Sequence, residues 1–179
     1  SVTKKWPLVV QIKPVRLKMQ LISMLSFFGT ILMILGISML LPVLPGLYYG
    51  EGDWLVFLLG GTLVLLSGLI LNKTTLRFKD ELYLREALAL VTMSWLIASL
   101  VSTIPYLATN TFNNFTDAFF ESVAGFTTTG VTVISDLETT SHAVLFWRSL
   151  THWLGGMGII VLFIALVSSL KTGGTQLFR

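Results

Sequence analysis

The stretch Thr127-Thr128-Thr129-Gly130-Val131-Thr132-Val133-Ile134 sets β-branched residues around a single glycine. Such a run makes a poor helix. In an extended segment its backbone carbonyls can take the place of a cation's hydration shell. The branched neighbours are stiff and would hold those carbonyls in line, while Gly130 reaches positive φ at low cost and lets a partner backbone come close. The rival reading is a buried polar turn, and a threonine–glycine string alone does not separate the two. Arg148 lies in an otherwise apolar stretch. A charge there costs about 2.5–3.5 kcal/mol on membrane-insertion scales and calls for a partner. Glu121 is the natural candidate, forming a structural pair; otherwise Arg148 snorkels to an interface. If the pair forms, charge reversal at both positions should restore folding lost in either single variant. His142 and His152 fall about 80° off a common helix face and have no third ligand, so a metal site is not expected of them. Gly155-Gly156-Met157-Gly158 lacks the strand and lysine of a phosphate loop and suits close helix packing instead. No cluster of titratable residues suggests an enzyme.

The elements that must carry these residues are apolar. Of 179 residues, 54% are hydrophobic and 12% charged, roughly half the charged share of soluble domains. Lipid is the matching solvent. Cysteine is absent, which excludes disulfides and thiolate metal sites. Membrane spans are expected at 19–44, ending near Pro42 and Pro45, then at 54–71, about 87–108 and about 143–170. Between the last two, Phe115 to Phe126 is apolar and periodic, yet its length gives a helix of only about 18 Å, too short to cross. The predicted fold is therefore an all-α integral membrane protein. It has four transmembrane helices, one re-entrant pore helix and an extended segment whose irregular backbone lines a cavity or is buried in protein.

Charge placement fixes an orientation. With the N-terminus cytoplasmic, segments 1–18, 72–86 and 171–179 lie inside and hold eleven of the twelve Lys and Arg residues. Segments 45–53 and 109–142 lie outside and hold none, but carry Glu51, Asp53, Asp117, Glu121, Asp136 and Glu138. This is the positive-inside pattern. It accounts for the net charge of +3 without a nucleic-acid partner. The short helix then starts near the outer face, capped by Thr116 or Asn114 with Asp117 in its first turn. Its negative C-terminal end points at residues 127–131, which favours a cation.

Ala118-Phe119-Phe120-Glu121-Ser122-Val123-Ala124-Gly125-Phe126-Thr127-Thr128-Thr129-Gly130 resembles the first pore loop of the Trk/Ktr/HKT superfamily of potassium transporters, most closely its bacterial TrkH branch. Phe146-Trp147-Arg148-Ser149-Leu150-Thr151-His152-Trp153-Leu154-Gly155-Gly156-Met157-Gly158-Ile159-Ile160-Val161 is similar to the helix that follows it there. Weaker likenesses extend to Tyr49–Asp53, to Trp95 and Pro105, and to Gly173–Arg179. The resemblance implies K⁺ transport across the bacterial inner (plasma) membrane, with this chain supplying one of four filter segments. The filter would be Thr127, Thr128, Thr129, Gly130 and Val131, with K⁺ bound by the carbonyls of Thr128, Thr129 and Gly130. Relatives with serine at the filter glycine favour sodium, so Gly130 argues for potassium. The implied organisation is a basic N-terminus (1–18), two additional helices with their linker (19–86), a first helix–pore–helix repeat (87–170) and the start of a linker to further repeats (171–179). Implied partners are those repeats, a homodimer mate, a TrkA-type nucleotide-binding gating subunit and the bilayer, with no cofactor. A non-conducting scaffold or regulatory subunit, or a small homotetrameric channel, remains the alternative.

Overall fold

A computed structural model describes residues 14–75 and 84–174, and side chains within 24–74 and 88–164. Residues 1–13 of the basic N-terminus, 76–83 of the 72–86 linker and 175–179 at the start of the last linker fall outside the described residues.

Helix α1 (Pro14–Leu40) is followed by a turn and the short α2 (Val43–Tyr48), then by α3 (Trp54–Thr75). α1 thus ends two residues before Pro42, and the apolar span continues through α2 to Tyr48. Pro42 closes the turn as the N-cap of α2, and Pro45 sits in the first turn of α2, where its fixed φ is tolerated. α4 (Leu84–Ala108), α5 (Phe115–Phe126) and α6 (His142–Gly174) complete the described elements, all of them helical. Four stretches are long and apolar enough to cross a membrane: Met24–Tyr48, Trp54–Thr74, Leu88–Ala108 and His142–Ile164.

α1 packs lengthwise on α3 because glycines remove the side chains that would hold them apart. A Cβ on Gly36 would stand 2.5 Å from the Leu65 nitrogen, and one on Gly68 2.8 Å from the Gly29 carbonyl. No side chain fits those contacts without separating the helices. The outer faces of the pair present Ile37, Leu63 and Ile70, as a chain in hydrocarbon requires.

α5 lies between α4 and α6. Asn114 supplies its N-cap: the side chain accepts the Asp117 N–H at 2.8 Å and donates to the Asp117 carboxylate at 2.7 Å. Asn114, rather than Thr116, fills that role. Trp147 is fully buried, with its indole donating to Ser102 Oγ at 3.0 Å and its ring 6.2 Å from that of Phe57. It ties α6 to α3 and α4.

Candidate functional site

The segment after α5 leaves the helix through a hydrogen-bonded turn. The Thr128 N–H donates to the Gly125 carbonyl at 2.9 Å and the Thr129 N–H to the Ala124 carbonyl at 3.0 Å. This pairing is the Schellman terminator, which demands a left-handed residue just beyond the helix, usually glycine. Here that residue is Thr128, at φ 55°. A β-branched side chain is uncommon in that conformation. The expectation that stiff branched residues line up in plain extended geometry is thus corrected at Thr128, where the helix terminator dictates the backbone. Gly130 also has positive φ, at 78°. Among the described residues nothing lies within 4 Å of where its Cβ would stand.

The terminal carbonyls of α5 are taken one by one. That of Val123 accepts the Thr127 N–H at 2.9 Å and the Thr127 hydroxyl at 2.8 Å. Those of Ala124 and Gly125 belong to the turn, and that of Phe126 accepts the Trp95 indole N–H at 3.1 Å. The next four carbonyls, of Thr127, Thr128, Thr129 and Gly130, accept no hydrogen bond among the described residues, and all four residues are exposed. Oxygen atoms in that state are available to a cation. The Thr127 and Thr129 hydroxyls meet at 2.7 Å on the same stretch.

Beyond Val131 the chain is anchored again. The Glu121 carboxylate, fully buried, accepts the Thr132 hydroxyl at 3.0 Å, the Val133 N–H at 2.9 Å and Arg148 Nε at 2.7 Å. The structure thus brings Glu121 and Arg148 together and adds Thr132 and Val133 to them. Residues 127–131 remain outside that cluster. Sequence reasoning missed the contacts of Thr132 and Val133 with Glu121, and that of Trp95 with Phe126. A signal for Trp95 existed: an indole N–H in an apolar span needs an acceptor.

Asp117, at the start of α5, and Val133–Asp136, at the end of the extended segment, line one polar cavity of about 510 Å³ with Asp53, Asn110 and Ser141. The start of α5 and the end of the segment that follows it therefore lie beside one another. At this end Glu51 caps α6 from a distant loop. It accepts the His142 N–H at 3.0 Å, the Ala143 N–H at 3.3 Å and a contact with His142 Nδ1 at 2.7 Å. Partial burial pushes the Glu51 carboxyl up, but these donors outweigh it and hold it below its ordinary value of 4.5. His142 stacks on Tyr49 at 3.6 Å, and His152 Nδ1 lies 2.9 Å from the Arg148 carbonyl. Among the described residues no three His, Asp or Glu side chains are grouped to hold a metal.

Four long apolar helices, with a short helix packed between two of them, define a multi-pass membrane protein. The family model for TrkH cation transport proteins matches residues 56–179, and the chain belongs to that family. The Trk system potassium uptake protein TrkH of Vibrio parahaemolyticus is 37% identical over 162 residues, covering 90% of this chain and 33% of the relative. TrkH of Salmonella typhimurium is 39% identical over 152 residues, covering 84% and 32%. The crystal structure of the potassium transporter TrkH from V. parahaemolyticus superposes with a TM-score of 0.77 at 36% identity, covering 83% of this chain and 32% of that one. The chain thus spans about a third of the length of the curated relatives it matches.

Proposed function

We propose that this chain supplies one of four filter segments of a K⁺-selective pathway across the bacterial inner membrane. In this reading α5 is a re-entrant pore helix entering from the outer face, and the N-terminus is cytoplasmic. Thr127 to Val131 form the filter segment, with K⁺ held by the carbonyls of Thr128, Thr129 and Gly130. One observation carries it: an exposed run of carbonyls, free of protein donors, follows a helix C-terminus and is anchored on both sides. The helix dipole adds negative potential at that point. The relatives are named as potassium uptake proteins, which supports K⁺ as the transported ion. The matched share, about a third of each relative, supports completion of the pore by further repeats; in this reading the completed pore sits in a dimer gated by a TrkA-type subunit.

The test is K⁺ uptake by the whole transporter in cells lacking other uptake routes. Gly130→Asp is expected to abolish uptake, and Gly130→Ser to lower the preference for K⁺ over Na⁺. Unchanged flux in both variants would make this segment a scaffold or regulatory element instead.

A further inference from the structure

The last carbonyl of α5 cannot be satisfied by the chain's own turn. Three of the four terminal carbonyls receive N–H groups from Thr127, Thr128 and Thr129. The chain then runs extended, and no later N–H reaches back to Phe126. The donor comes instead from α4, as the Trp95 indole at 3.1 Å. From the other side α6 presses Gly155 against the same group, where a Cβ would collide with the Phe126 carbonyl. The Trp95 ring itself rests on α6 at Gly158, whose added Cβ would stand 3.4 Å from Cζ2. The surroundings are an apolar crevice of about 220 Å³ lined by Ile31, Leu35, Ala98 and Leu154, which offers no rival donor apart from the Ser94 hydroxyl. That hydroxyl is committed to the Leu90 carbonyl at 2.6 Å.

We propose that Trp95 is a positioning residue for the cation pathway: its indole N–H turns the Phe126 carbonyl away from the ion, so that coordination begins at Thr127. This inference rests on the filter reading above. Without the N–H, Phe126 keeps an unpaired carbonyl in an apolar setting, and a tilt of its peptide toward the open filter end relieves that penalty; the tilt weakens the Thr127 N–H bond to the Val123 carbonyl, which the Thr127 hydroxyl still donates to. An extra oxygen at the inner edge then changes the spacing offered to the ion.

The test compares K⁺ and Na⁺ uptake by the whole transporter in proteoliposomes. In one variant Trp95 is replaced by its benzothiophene isostere, which keeps the ring and deletes only the N–H; the second is Trp95→Phe. The discrimination ratio is expected to fall about fivefold or more in both, the size of one buried hydrogen bond, while the isostere incorporates and melts like the parent. Gly130→Ser is measured alongside. If it lowers the ratio and neither Trp95 variant does, the inference fails and the filter reading stands. If Gly130→Ser leaves the ratio unchanged as well, both fail. Loss of protein amount with an unchanged ratio would reduce Trp95 to packing and would also overturn the proposal.

Discussion

Exchanging the charges of Glu121 and Arg148 separates two roles that Glu121 combines. The carboxylate is fully buried, while the Arg148 side chain is 20% exposed. Removing one partner of such a buried pair costs about 3–5 kcal/mol, because the survivor is left uncompensated. Glu121→Ala should approach that figure. Glu121→Gln, which keeps one acceptor oxygen, should cost less. If the ion pair were the whole interaction, the exchanged variant Glu121→Arg with Arg148→Glu would return to parental stability. The structure argues otherwise, since Glu121 also accepts the Thr132 hydroxyl and the Val133 N–H, and a guanidinium accepts nothing. Two donors lose their partner, at roughly 1–3 kcal/mol in total after allowing for the solvent exposure of Val133. The exchanged variant should therefore melt above the worse single variant but below the parent. Its K⁺ discrimination should stay impaired, because the outer end of the segment is no longer fastened. The assay is thermal unfolding of the detergent-solubilised whole transporter, with ion uptake in parallel. Full recovery of both quantities would refute the anchoring role, and no recovery in melting would refute the pair.

Thr128→Gly should stabilise the chain by about 1 kcal/mol, since glycine removes the left-handed strain of the helix terminator at only an entropic cost; a chemical or thermal unfolding series reads it directly. Gly155→Ala should destabilise by about 3 kcal/mol, the upper end for overpacking, because its methyl meets the Phe126 backbone rather than a movable side chain; parental melting would show that α6 can shift freely. Glu51 has a depressed folded pKa, so its contribution is fully present above the ordinary value of 4.5 and fades as pH falls through the lower folded value. Glu51→Gln should flatten the melting temperature across that acidic window. With the side chain 22% exposed, the effect should stay below about 1 kcal/mol, and an unaltered acid slope would show that Glu51 does not carry it.

The elements were legible because their cause is local. Spans follow from unbroken apolar runs, and α5 occupies the twelve residues, Phe115–Phe126, that periodicity marks out. The contact between Arg148 and Glu121 was legible for a similar reason: an isolated charge in an apolar span demands a counter-charge. Thr128 was not legible, because its side chain argues for β geometry while the hydrogen-bonding demand of the helix end places it at positive φ. Nothing in the sequence marks Thr132 and Val133 as donors to Glu121, since one donates through its hydroxyl and the other through its backbone. The reach of Glu51 to His142, 91 positions away, depends on how the first helix pair docks, which no periodicity encodes.

That docking bears on where the ion chemistry resides. Among the described residues, the first pair of helices meets the rest at Glu51 on the start of α6, at Phe57 beside Trp147, and at Ile31 and Leu35 beside the Trp95 crevice. None of these contacts reaches a carbonyl of Thr127 to Gly130. The pair buttresses the helices that hold residues 127–131 without touching those carbonyls. Substitutions in the pair should therefore change how long the protein survives heating before they change which ion it prefers. The exception is the face around Leu35, because it closes the apolar setting in which the Trp95 indole has no competitor for the Phe126 carbonyl. Leu35→Asn places a rival donor there. If Trp95 positions that carbonyl, this substitution should alter discrimination although it lies outside the helix–loop–helix unit altogether.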